Sequence, residues 1–374
     1  MEERYSFLTE WYDPNAALIR KYQLIYYPKD ATCEMFDIKN RRMFLKRSAV
    51  EGLSMADLFI GSVVNVHSRQ LSIVDFGDEF TTRKLKAKKE KTLAIIKPDC
   101  LEKMGEILSI ACSSGLRVCN ARLVQLSTKD AQELYQEHTR KPFFDDLVQY
   151  MTKGPILVFE LTGEDAIQSW KALLGPTNSA QARRDDPSSL RACFGTDNIR
   201  NACHGSESPQ TALRESELFF GAQPRGKSLA QCKDSTLCIV KPHAIVSGSA
   251  GDIIKAVNEA GFDIQALGLY YMDKANAEEF FEIYKGVVAE YSGMVSQLCS
   301  GPCIAMEITK GDGNVHTKFR EFVGPSDPEI ARHLRPHTLR AKFGKDKIQN
   351  AVHCTDLPDD CSLEVEYFFR ILPS

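Results

Sequence analysis

The sequence of 374 residues lacks any apolar run that approaches the roughly 20 residues needed to cross a bilayer. Its first residues are acidic and contain no apolar signal region. Twelve cysteines are present, yet no C-x-x-C pair occurs, and a glycine–proline turn separates Cys299 from Cys303, which disfavours a zinc site. These absences predict a soluble, cytoplasmic protein with free thiols and no membrane partner.

The sequence also lacks a strong net charge. It has 47 lysines and arginines against 50 aspartates and glutamates, so the formal net charge is −3. A near-neutral balance gives no global support for binding to nucleic acid, and we expect nucleic acid not to be a partner. Any electrostatic partner must therefore be recognised by a local patch of charge.

The most informative stretch of the sequence, residues 201–209 (NACHGSESP), places His204 between an amide, a glycine and a hydroxyl. A neutral imidazole can act as a nucleophile when a neighbouring group holds its other nitrogen by a hydrogen bond. The pattern recurs at His353, an offset of 353 − 204 = 149 residues. Four further pairs keep this offset: Arg191 with Arg340, Asn201 with Asn350, Glu215 with Glu364, and Phe220 with Phe369. A period of this length indicates a tandem duplication of a whole domain.

The duplication divides the chain into four segments. We predict a docking domain over residues 1–90, a first repeat over 91–221, a flexible linker over 222–235 and a second repeat over 236–374.

The N-terminal segment alternates short apolar runs with turn signals. This pattern predicts strands at 22–27, 32–37, 43–46, 63–66 and 71–76. The segment is therefore expected to be a small, mostly β domain, and a binding module rather than an enzyme. The basic stretch 82–92 that follows is consistent with a solvated connection or with a contact to an acidic surface.

Each repeat has the pattern of an α/β (α+β) domain. In the first repeat, strands are predicted at 92–97, 118–126 and 154–161, and helices at 104–113, from 128, and at 164–174. The order is βαβ, then α, then βα, which is the order of a ferredoxin-like α/β sandwich. The second repeat copies this order with strands at 236–242, 261–269 and 301–308.

Polar residues that such a scaffold can bring together occur throughout the first repeat. Two lysines and an arginine among them suit an oligophosphate, because phosphoryl transfer depends on positioning and on stabilising the charge of the phosphate oxygens. The candidate residues are Lys97, Tyr135, Lys171, Thr177, Arg191, Asn201, His204, Ser206, Glu207 and Glu215.

Four motifs carry a resemblance to a known family. They are IKPD at 96–99, KPFF at 141–144, LGPTN at 174–178 and NACHGS at 201–206, in the family's order. On these motifs both repeats resemble nucleoside diphosphate kinase domains. The resemblance implies a ping-pong reaction in which a nucleoside triphosphate such as ATP donates its γ-phosphate to a histidine, and a nucleoside diphosphate then receives it.

The resemblance also implies a role for each matching residue. His204 would carry the phosphate, Lys97 and Tyr135 would orient it, and Ser206 with Glu215 would fix the imidazole. Lys171, Thr177 and Arg191 would hold the phosphates, Asn201 with Lys97 would meet the ribose, and Phe143 would stack on the base. Mg²⁺ would bridge the phosphates, with Glu207 nearby through water.

Departures from the family pattern are mild in the first repeat and larger in the second. Lys171 stands where the family usually has arginine, and Glu207 replaces an aspartate, so we expect slower turnover. In the second repeat Cys354 replaces a glycine and would remove its conformational freedom. We also expect His243, in place of aspartate, and the AEY sequence at 289–291, in place of Pro-Phe-Phe, to weaken nucleotide binding.

We therefore expect a degenerate second site that pairs with the first repeat, so that the chain is a monomer with an internal pseudo-dimer. The family residues retained in the second repeat are Lys241, Arg320, Ser326, Arg340, Asn350, His353 and Glu364.

The N-terminal segment resembles the DM-ten domain, a pleckstrin-homology-like family of ciliary and axonemal proteins. The resemblance rests on the Tyr26–Tyr27 strand, on FLKR at 44–47 and on VDFGDEFTTR at 74–83. It implies that the partners are tubulin, microtubules and the γ-tubulin ring complex. It also implies a location in the cytoskeleton, at the ciliary axoneme and centrosome. Two hypotheses follow: a kinase tethered to microtubules, or a structural axonemal protein with vestigial kinase activity.

Overall fold

The computed structural model describes residues 3–14, 16–50, 52–85, 90–311 and 313–372. It divides into two compact units. One unit comprises residues 1–89 together with 271–302, and the other comprises 90–270 together with 303–374. Part of the predicted basic linker, residues 86–89, lies outside the described residues. In the described part of the chain no helix is long and apolar enough to span a membrane.

The N-terminal domain is a curled antiparallel sheet with the strand order β4-β3-β2-β1-β6-β5. Alternation of buried and partly exposed residues along β3 shows one apolar face packed inward, and the core includes Phe7, Tyr22 and Leu71. The predicted mostly-β fold is confirmed; β1 and α1 were not predicted. The elements are β1 Tyr5–Asp13, β2 Leu18–Tyr27, β3 Thr32–Asp37, β4 Arg42–Ala49, a 3₁₀ turn Met55–Asp57, β5 Val63–Val66, β6 Arg69–Phe76 and α1 Glu79–Leu85.

The first repeat has the predicted ferredoxin-like order with additional short helices. The elements are β7 Glu90–Ile96, α2 Met104–Ser113, β8 Arg117–Gln125, α3 Thr128–Leu134, α4 Phe144–Met151, β9 Ile156–Gly163, α5 Ala166–Leu174, α6 Ser179–Asp185, α7 Leu190–Phe194, β10 Cys203–Gly205 and α8 Pro209–Phe220, with 3₁₀ turns Pro98–Lys103 and Gln136–His138.

The second repeat follows the same plan. The elements are β11 Lys227–Ser228, β12 Ser235–Val240, α9 Pro242–Val246, α10 Ala250–Glu259, β13 Asp263–Tyr271, α11 Lys274–Phe280, α12 Tyr291–Leu298, β14 Pro302–Thr309, α13 Val315–Val323, α14 Pro328–Leu334, α15 Leu339–Phe343, β15 Val352–Cys354 and α16 Cys361–Glu366, with 3₁₀ turns Glu282–Tyr284 and Pro358–Asp360 and a π-helical turn Tyr367–Ile371.

One antiparallel sheet runs through both repeats in the order β10-β7-β9-β8-β13-β14-β12-β15, with β11 also paired to β8. The two halves join where Arg122 of β8 lies opposite Gly268 of β13. One hydrophobic cluster contains buried side chains of both repeats, and a separate cluster contains side chains of the first repeat alone. The second repeat therefore completes the core of the first.

Local sequence explains why the site-forming elements begin and end where they do. Residues 93–96 of β7 are all apolar and completely buried, and Pro98 then ends the strand because its ring nitrogen carries no hydrogen to donate. Ser127 caps α3 by accepting from the N–H of Asp130 at 3.1 Å, and Ser208 caps α8 before Pro209. These boundaries leave Lys97 and the residues after α3 at the edge of the sheet where β10 lies.

The segment 271–302 of the second repeat belongs to the same compact unit as the N-terminal domain. It contains α11 and α12, and the side-chain amide of Gln70 donates to the carbonyl of Met272 at 2.5 Å. Met272 and Phe281 are completely buried. The N-terminal domain is thus attached to part of the second repeat by packing as well as by the chain.

Helices α2 and α10 cross at two glycines. A Cβ atom on Gly105 would lie 2.2 Å from the backbone nitrogen of Lys255, and one on Gly251 would lie 2.3 Å from that of Ser109. The hydroxyl of Ser109 also donates to Asp252 at 2.7 Å. The close approach of the two backbones therefore requires glycine at both positions.

We expect Gly105→Ala to lower the free energy of unfolding by about 2 kcal/mol, because the added methyl group forces the helices apart. The loss should outweigh the gain of up to about 1 kcal/mol in helix propensity. Urea unfolding followed by circular dichroism measures it. Gly311→Ala is the matched control, since a Cβ there meets nothing within 4 Å. Equal stability of the two variants would contradict the close helix contact.

Candidate active site

His204 lies on the three-residue edge strand β10, opposite Ile95 of β7. The turn before it is unusually tight. Ala202 has φ = 66°, and the N–H of Cys203 donates to the carbonyl of Asn201 at 2.7 Å. The counterpart Ala351 in the second repeat has φ = 70°. A strained alanine in the same place twice indicates that the turn serves to aim the histidine that follows it.

A chain of hydrogen bonds fixes the imidazole. Nε2 of His204 lies 3.0 Å from Oε1 of Glu215 on α8, and the hydroxyl of Ser206 donates to Oε2 of the same carboxylate at 2.6 Å. Burial acts to raise the pKa of Glu215, but His204 and the hydrogen bonds outweigh it, so this pKa is lowered. An ionised Glu215 accepts a hydrogen bond from Nε2–H, which leaves the lone pair of Nδ1 as the nucleophile.

Tyr135 lies beside the histidine at the end of α3. Its ring meets the imidazole of His204 edge-on, with centroids 5.7 Å apart. The hydroxyl is buried and has no hydrogen-bond partner among the described residues. Burial, together with Glu215, raises the pKa of Tyr135, so the hydroxyl stays protonated. A buried hydroxyl without an acceptor next to His204 is suited to donate to a phosphate oxygen.

Two cations also belong to the site, the buried Lys97 and the half-buried Arg191. Nζ of Lys97 donates to the carbonyl of Ile199 at 2.9 Å and to Oδ1 of Asn201 at 2.7 Å. Burial, with a contribution from Arg191, lowers the pKa of Lys97 to about 8. Arg191 donates to the carbonyls of Gly175 and Cys203, and its buried Nε has no partner among the described residues. Neutral carbonyls leave most of this positive charge uncompensated, which suits an anion.

The remaining predicted residues lie at the rim. Nζ of Lys171 forms a salt bridge of 2.5 Å with the largely exposed Glu207. Thr177 is exposed, and its carbonyl accepts from the side-chain amide of Asn201 at 3.0 Å. The ring of Phe143 is 39 % exposed. The structure thus places all the predicted residues of the first repeat around one site.

The residues at this site fit a magnesium ion carried by a phosphate chain. Across the described residues, no group of three or more His, Cys, Asp or Glu side chains is arranged to hold a metal ion. Mg²⁺ usually binds through one or two carboxylates and the phosphates of its substrate. Glu207 is the exposed carboxylate at the rim that could contribute.

Trp170 is a residue of the site that the sequence reasoning missed. Its indole N–H donates to the carbonyl of His204 at 3.1 Å. A Cβ on Gly205 would lie 2.5 Å from Cδ1 of Trp170. Gly205 does not have a positive φ, so the expectation that this glycine is needed for conformational freedom was wrong. It is needed for space.

The second repeat shows how a residue larger than glycine can follow the histidine. Phe319, at the offset of 319 − 170 = 149 residues, stands in place of Trp170 and is completely buried. The smaller ring leaves room for the side chain of Cys354, which lies in β15. Cys354 is therefore accommodated rather than disruptive, and this departure alone does not weaken the second site.

We expect Gly205→Cys alone to lower the free energy of unfolding by about 2–3 kcal/mol, because its Cβ clashes with the indole. Trp170→Phe alone should cost less, and the double variant should be more stable than the sum of the single effects predicts. A double-mutant cycle of urea unfolding should give a favourable coupling above about 1 kcal/mol. Additive effects would contradict the steric explanation.

The second repeat reproduces the hydrogen-bond chain around its histidine. Nε2 of His353 lies 3.0 Å from Oε2 of Glu364, and the hydroxyl of Thr355 donates to the same oxygen at 2.8 Å. The side chain of His353 is only 6 % exposed, whereas that of His204 is 18 % exposed. The second histidine is thus held in the same way but is less accessible.

The phosphate-side residues of the second repeat also come together. Lys241 donates to the carbonyl of Ile348 at 3.1 Å, and burial lowers its pKa to about 7. The side chain of Asn350 donates to the carbonyl of Ser326 at 2.9 Å. Arg340 donates hydrogen bonds to the carbonyls of Gly324 and Val352. Arg320 forms a salt bridge with Asp356.

His243 supports the backbone of the second repeat. Its Nε2 accepts from the N–H of Ala351 at 3.2 Å, and burial lowers its pKa to about 4, so the ring is neutral. The AEY sequence at 289–291 belongs to the compact unit that contains the N-terminal domain. Its expected effect on nucleotide binding stays a prediction.

The prediction of a flexible linker over residues 222–235 overlooked a motif that begins one residue earlier, at Gly221. GAQPRGKS has the G-x-x-x-x-G-K-S spacing of a phosphate-binding loop. Such a loop follows a strand and opens a helix, whereas this segment follows α8 and leads into β11. Gly226 packs against Val124, where a Cβ would lie 2.7 Å away. The motif is therefore a structural connection.

Comparison with known families matches almost the whole chain. The family model described as nucleoside diphosphate kinase matches residues 90–224 and again 234–372. The model described as the nucleoside diphosphate kinase 7 N-terminal PH domain matches residues 1–87. The pleckstrin-homology-like prediction is thus confirmed, and the name DM-ten for this domain was wrong.

Individual relatives agree with the family models. The chain is 54% identical over 374 residues to nucleoside diphosphate kinase homolog 7 of Rattus norvegicus, a match that covers 99% of this chain and 94% of the relative. It is 53% identical to the protein of the same name from Mus musculus, over the same shares. Among solved structures, the nucleoside diphosphate kinase of Aquifex aeolicus matches 34% of this chain and 92% of its own, with 40% identity and a TM-score of 0.34.

Proposed function

Because this chain belongs to the nucleoside diphosphate kinase family, we propose that its first repeat transfers the γ-phosphate of a nucleoside triphosphate to a nucleoside diphosphate through a phosphohistidine at His204. The observation that carries the proposal is the fixed imidazole. Ser206 holds the carboxylate of Glu215, and Glu215 holds Nε2, so Nδ1 is left as the nucleophile. Activation by an oriented carboxylate is how a histidine becomes a nucleophile at neutral pH.

The first half-reaction forms one bond and breaks one. Nδ1 of His204 attacks the γ-phosphorus, the N–P bond forms, and the bond from phosphorus to the β-phosphate oxygen breaks. The nucleoside diphosphate leaves with that electron pair. The imidazole becomes more positive as the bond forms, and the negative charge of Glu215 stabilises it. The second half-reaction reverses these steps, with a different diphosphate as the acceptor.

Three donors act on the phosphoryl oxygens during transfer. Lys97 and Arg191 supply positive charge, and the hydroxyl of Tyr135 supplies a hydrogen bond. These groups are already positioned, so little reorganisation is needed as charge shifts between the oxygens. Mg²⁺, when bound with the nucleotide, would neutralise phosphate charge, and Glu207 would hold it through water.

The rim holds the rest of the nucleotide. Phe143 stacks on the base, Asn201 with Lys97 meets the ribose, and Thr177 with Lys171 contacts the phosphates. To do so Lys171 must leave Glu207. A surface ion pair of this kind is worth about 0–1 kcal/mol, so its loss slows turnover without preventing it.

We propose that the second repeat is not a working kinase and that it instead completes the fold of the first. Three observations support this: the shared core, the glycine contact between α2 and α10, and the low exposure of His353. One chain then supplies both halves of a pseudo-dimer, and the protein is a monomer.

Incubation of the purified chain with γ-labelled ATP and Mg²⁺ tests the kinase proposal. We expect acid-labile label on the wild-type chain and on His353→Ala, transfer of that label to added diphosphate, and a loss of at least about 1,000-fold with His204→Ala, because no other group takes over a nucleophile's role.

His353→Ala is the matched control, because it removes the same side chain from the equivalent network. Label that persists in His204→Ala but disappears in His353→Ala would move the activity to the second repeat. Absence of label from the wild-type chain would leave the alternative, a structural axonemal protein with vestigial kinase activity.

We further propose that the N-terminal domain binds tubulin and so places the enzyme on microtubules of the axoneme and centrosome, where the γ-tubulin ring complex also lies. Support comes from β4, which ends the sheet and is exposed along most of its length. It carries Arg42 and Lys46, and the exposed apolar side chains of Met43 and Phe44. An end strand with this charge suits an acidic extended segment.

We expect the full-length variant Arg42→Glu/Lys46→Glu to bind stabilised microtubules at least about five-fold more weakly than wild type, because charge reversal removes electrostatic attraction. Co-sedimentation measures this. Lys227→Glu/Lys233→Glu introduces the same charge change at exposed positions of the other unit and should bind like wild type. Equal binding by both variants would remove β4 from the docking role.

A further inference from the structure

A cavity of about 150 Å³ lies where the two repeats meet. It is bordered by strands β8 and β13, by the C-terminal end of α8 and by the π-helical turn Tyr367–Ile371, and its lining residues all belong to one compact unit. Phe220 and Phe369, one of the pairs that keep the 149-residue offset, both line it. The cavity shares no residue with the candidate active site, so it is a separate feature of the fold.

The pairing of β8 with β13 places a cation beside this cavity. Arg122 of the first repeat lies opposite Gly268 of the second, which has no side chain to balance it. Residues directly opposite in antiparallel strands project to the same face, as does Tyr270, two residues after Gly268. A Cβ on Gly268 would lie 2.8 Å from the hydroxyl oxygen of Tyr270. The guanidinium and the phenol therefore border the same space.

The fold uses only part of the guanidinium of Arg122. Nη1 donates to the carbonyl of Phe219 at 2.9 Å and to that of Arg225 at 3.5 Å, which satisfies a carbonyl at the end of α8. Among the described residues Nε and Nη2 have no partner, and no carboxylate pairs with the guanidinium. Both nitrogens stay open to the cavity, because neither is sealed from solvent.

The hydroxyl of Tyr270 is also available. It has no hydrogen-bond partner among the described residues and is not sealed from solvent. The ring is fixed edge-on against Phe368, with centroids 5.2 Å apart, and against Phe369 at 6.1 Å. Burial raises the pKa of Tyr270, so the hydroxyl stays protonated and can donate a hydrogen bond beside Arg122.

The chemistry of the lining defines the ligand. A guanidinium without a carboxylate partner binds a carboxylate through two parallel hydrogen bonds. The rings of Phe220, Tyr270 and Phe369 surround the rest of the space with Leu267, which suits a flat apolar body. In another protein an apolar cavity of about 150 Å³ holds benzene. A single-ring aromatic carboxylate therefore matches the charge, the surface and the volume of the cavity.

We propose that the junction of the two repeats is a binding site for a small aromatic carboxylate, held by Arg122 and Tyr270 and enclosed by Phe220 and Phe369. The site is distinct from that of His204 and does not depend on the proposed kinase activity. The ligand contacts α8 of the first repeat and the π-helical turn of the second, so its binding stabilises their junction.

Titration calorimetry of the full wild-type chain with benzoate tests the proposal. Benzamide has nearly the same shape without the charge, and acetate has the charge without the ring. We expect benzoate to bind at least about ten-fold more tightly than either, because a hydrogen bond to a charged group and burial of a ring each contribute about that factor. Equal binding of benzamide, or no binding of benzoate at about 10 mM, would overturn the proposal. Inorganic phosphate that binds as tightly as benzoate would also overturn it.

Variants locate the carboxylate. Arg122→Met keeps the length of the side chain and removes the charge, so it should weaken benzoate binding at least about ten-fold. Tyr270→Phe keeps the ring and should weaken it about three-fold, the effect of one neutral hydrogen bond. Arg191→Met is the matched control, because Arg191 is also half-buried and donates to two carbonyls, and it should bind benzoate like wild type.

Loss of benzoate binding with Arg191→Met but not with Arg122→Met would place the carboxylate in the candidate active site and overturn the proposal. Unchanged binding in both Arg122→Met and Tyr270→Phe would do the same. If circular dichroism shows that Arg122→Met is unfolded, Tyr270→Phe and the comparison of benzoate with benzamide still decide, because neither removes the hydrogen bond from Arg122 to α8.

Discussion

The bond between Glu215 and Nε2 of His204 is the interaction on which the site depends. It sets the tautomer of the imidazole, it supplies the negative charge that balances the ring during transfer, and it links α8 to the edge strand β10. Ser206 holds the other carboxylate oxygen, and the backbone N–H of Leu93 donates to the Ser206 hydroxyl at 3.3 Å. The nucleophile is therefore tied through Glu215 and Ser206 to β7, the strand next to β10.

The second repeat is an internal comparison for this arrangement. It keeps the same chain from histidine to glutamate to hydroxyl, the same strained alanine, and a buried lysine on a backbone carbonyl. What differs is exposure and the surrounding rings, with Phe319 and Cys354 in place of Trp170 and Gly205. The duplication has thus preserved the scaffold of the site more completely than its access, which is what a domain retained for packing would show.

Packing explains why both copies persist. The sheet is continuous across β8 and β13, the core contains side chains from both repeats, and α2 meets α10 so closely that neither Gly105 nor Gly251 can carry a Cβ without movement. Removal of the second repeat would expose a large apolar surface on the first. A degenerate site can therefore be under structural constraint even when its chemistry is lost.

The sequence by itself showed the duplication and the ferredoxin-like order of the main strands and helices in each repeat, because apolar periodicity and a 149-residue offset from His204 to His353 are local or countable features. Only the tertiary structure showed that Gly205 is required for space beside Trp170, that the spacing at 221–228 forms no phosphate loop, and that Arg122 and Tyr270 border one cavity. These depend on distances between residues far apart in the chain, or on the elements that flank a motif, and a linear pattern contains neither.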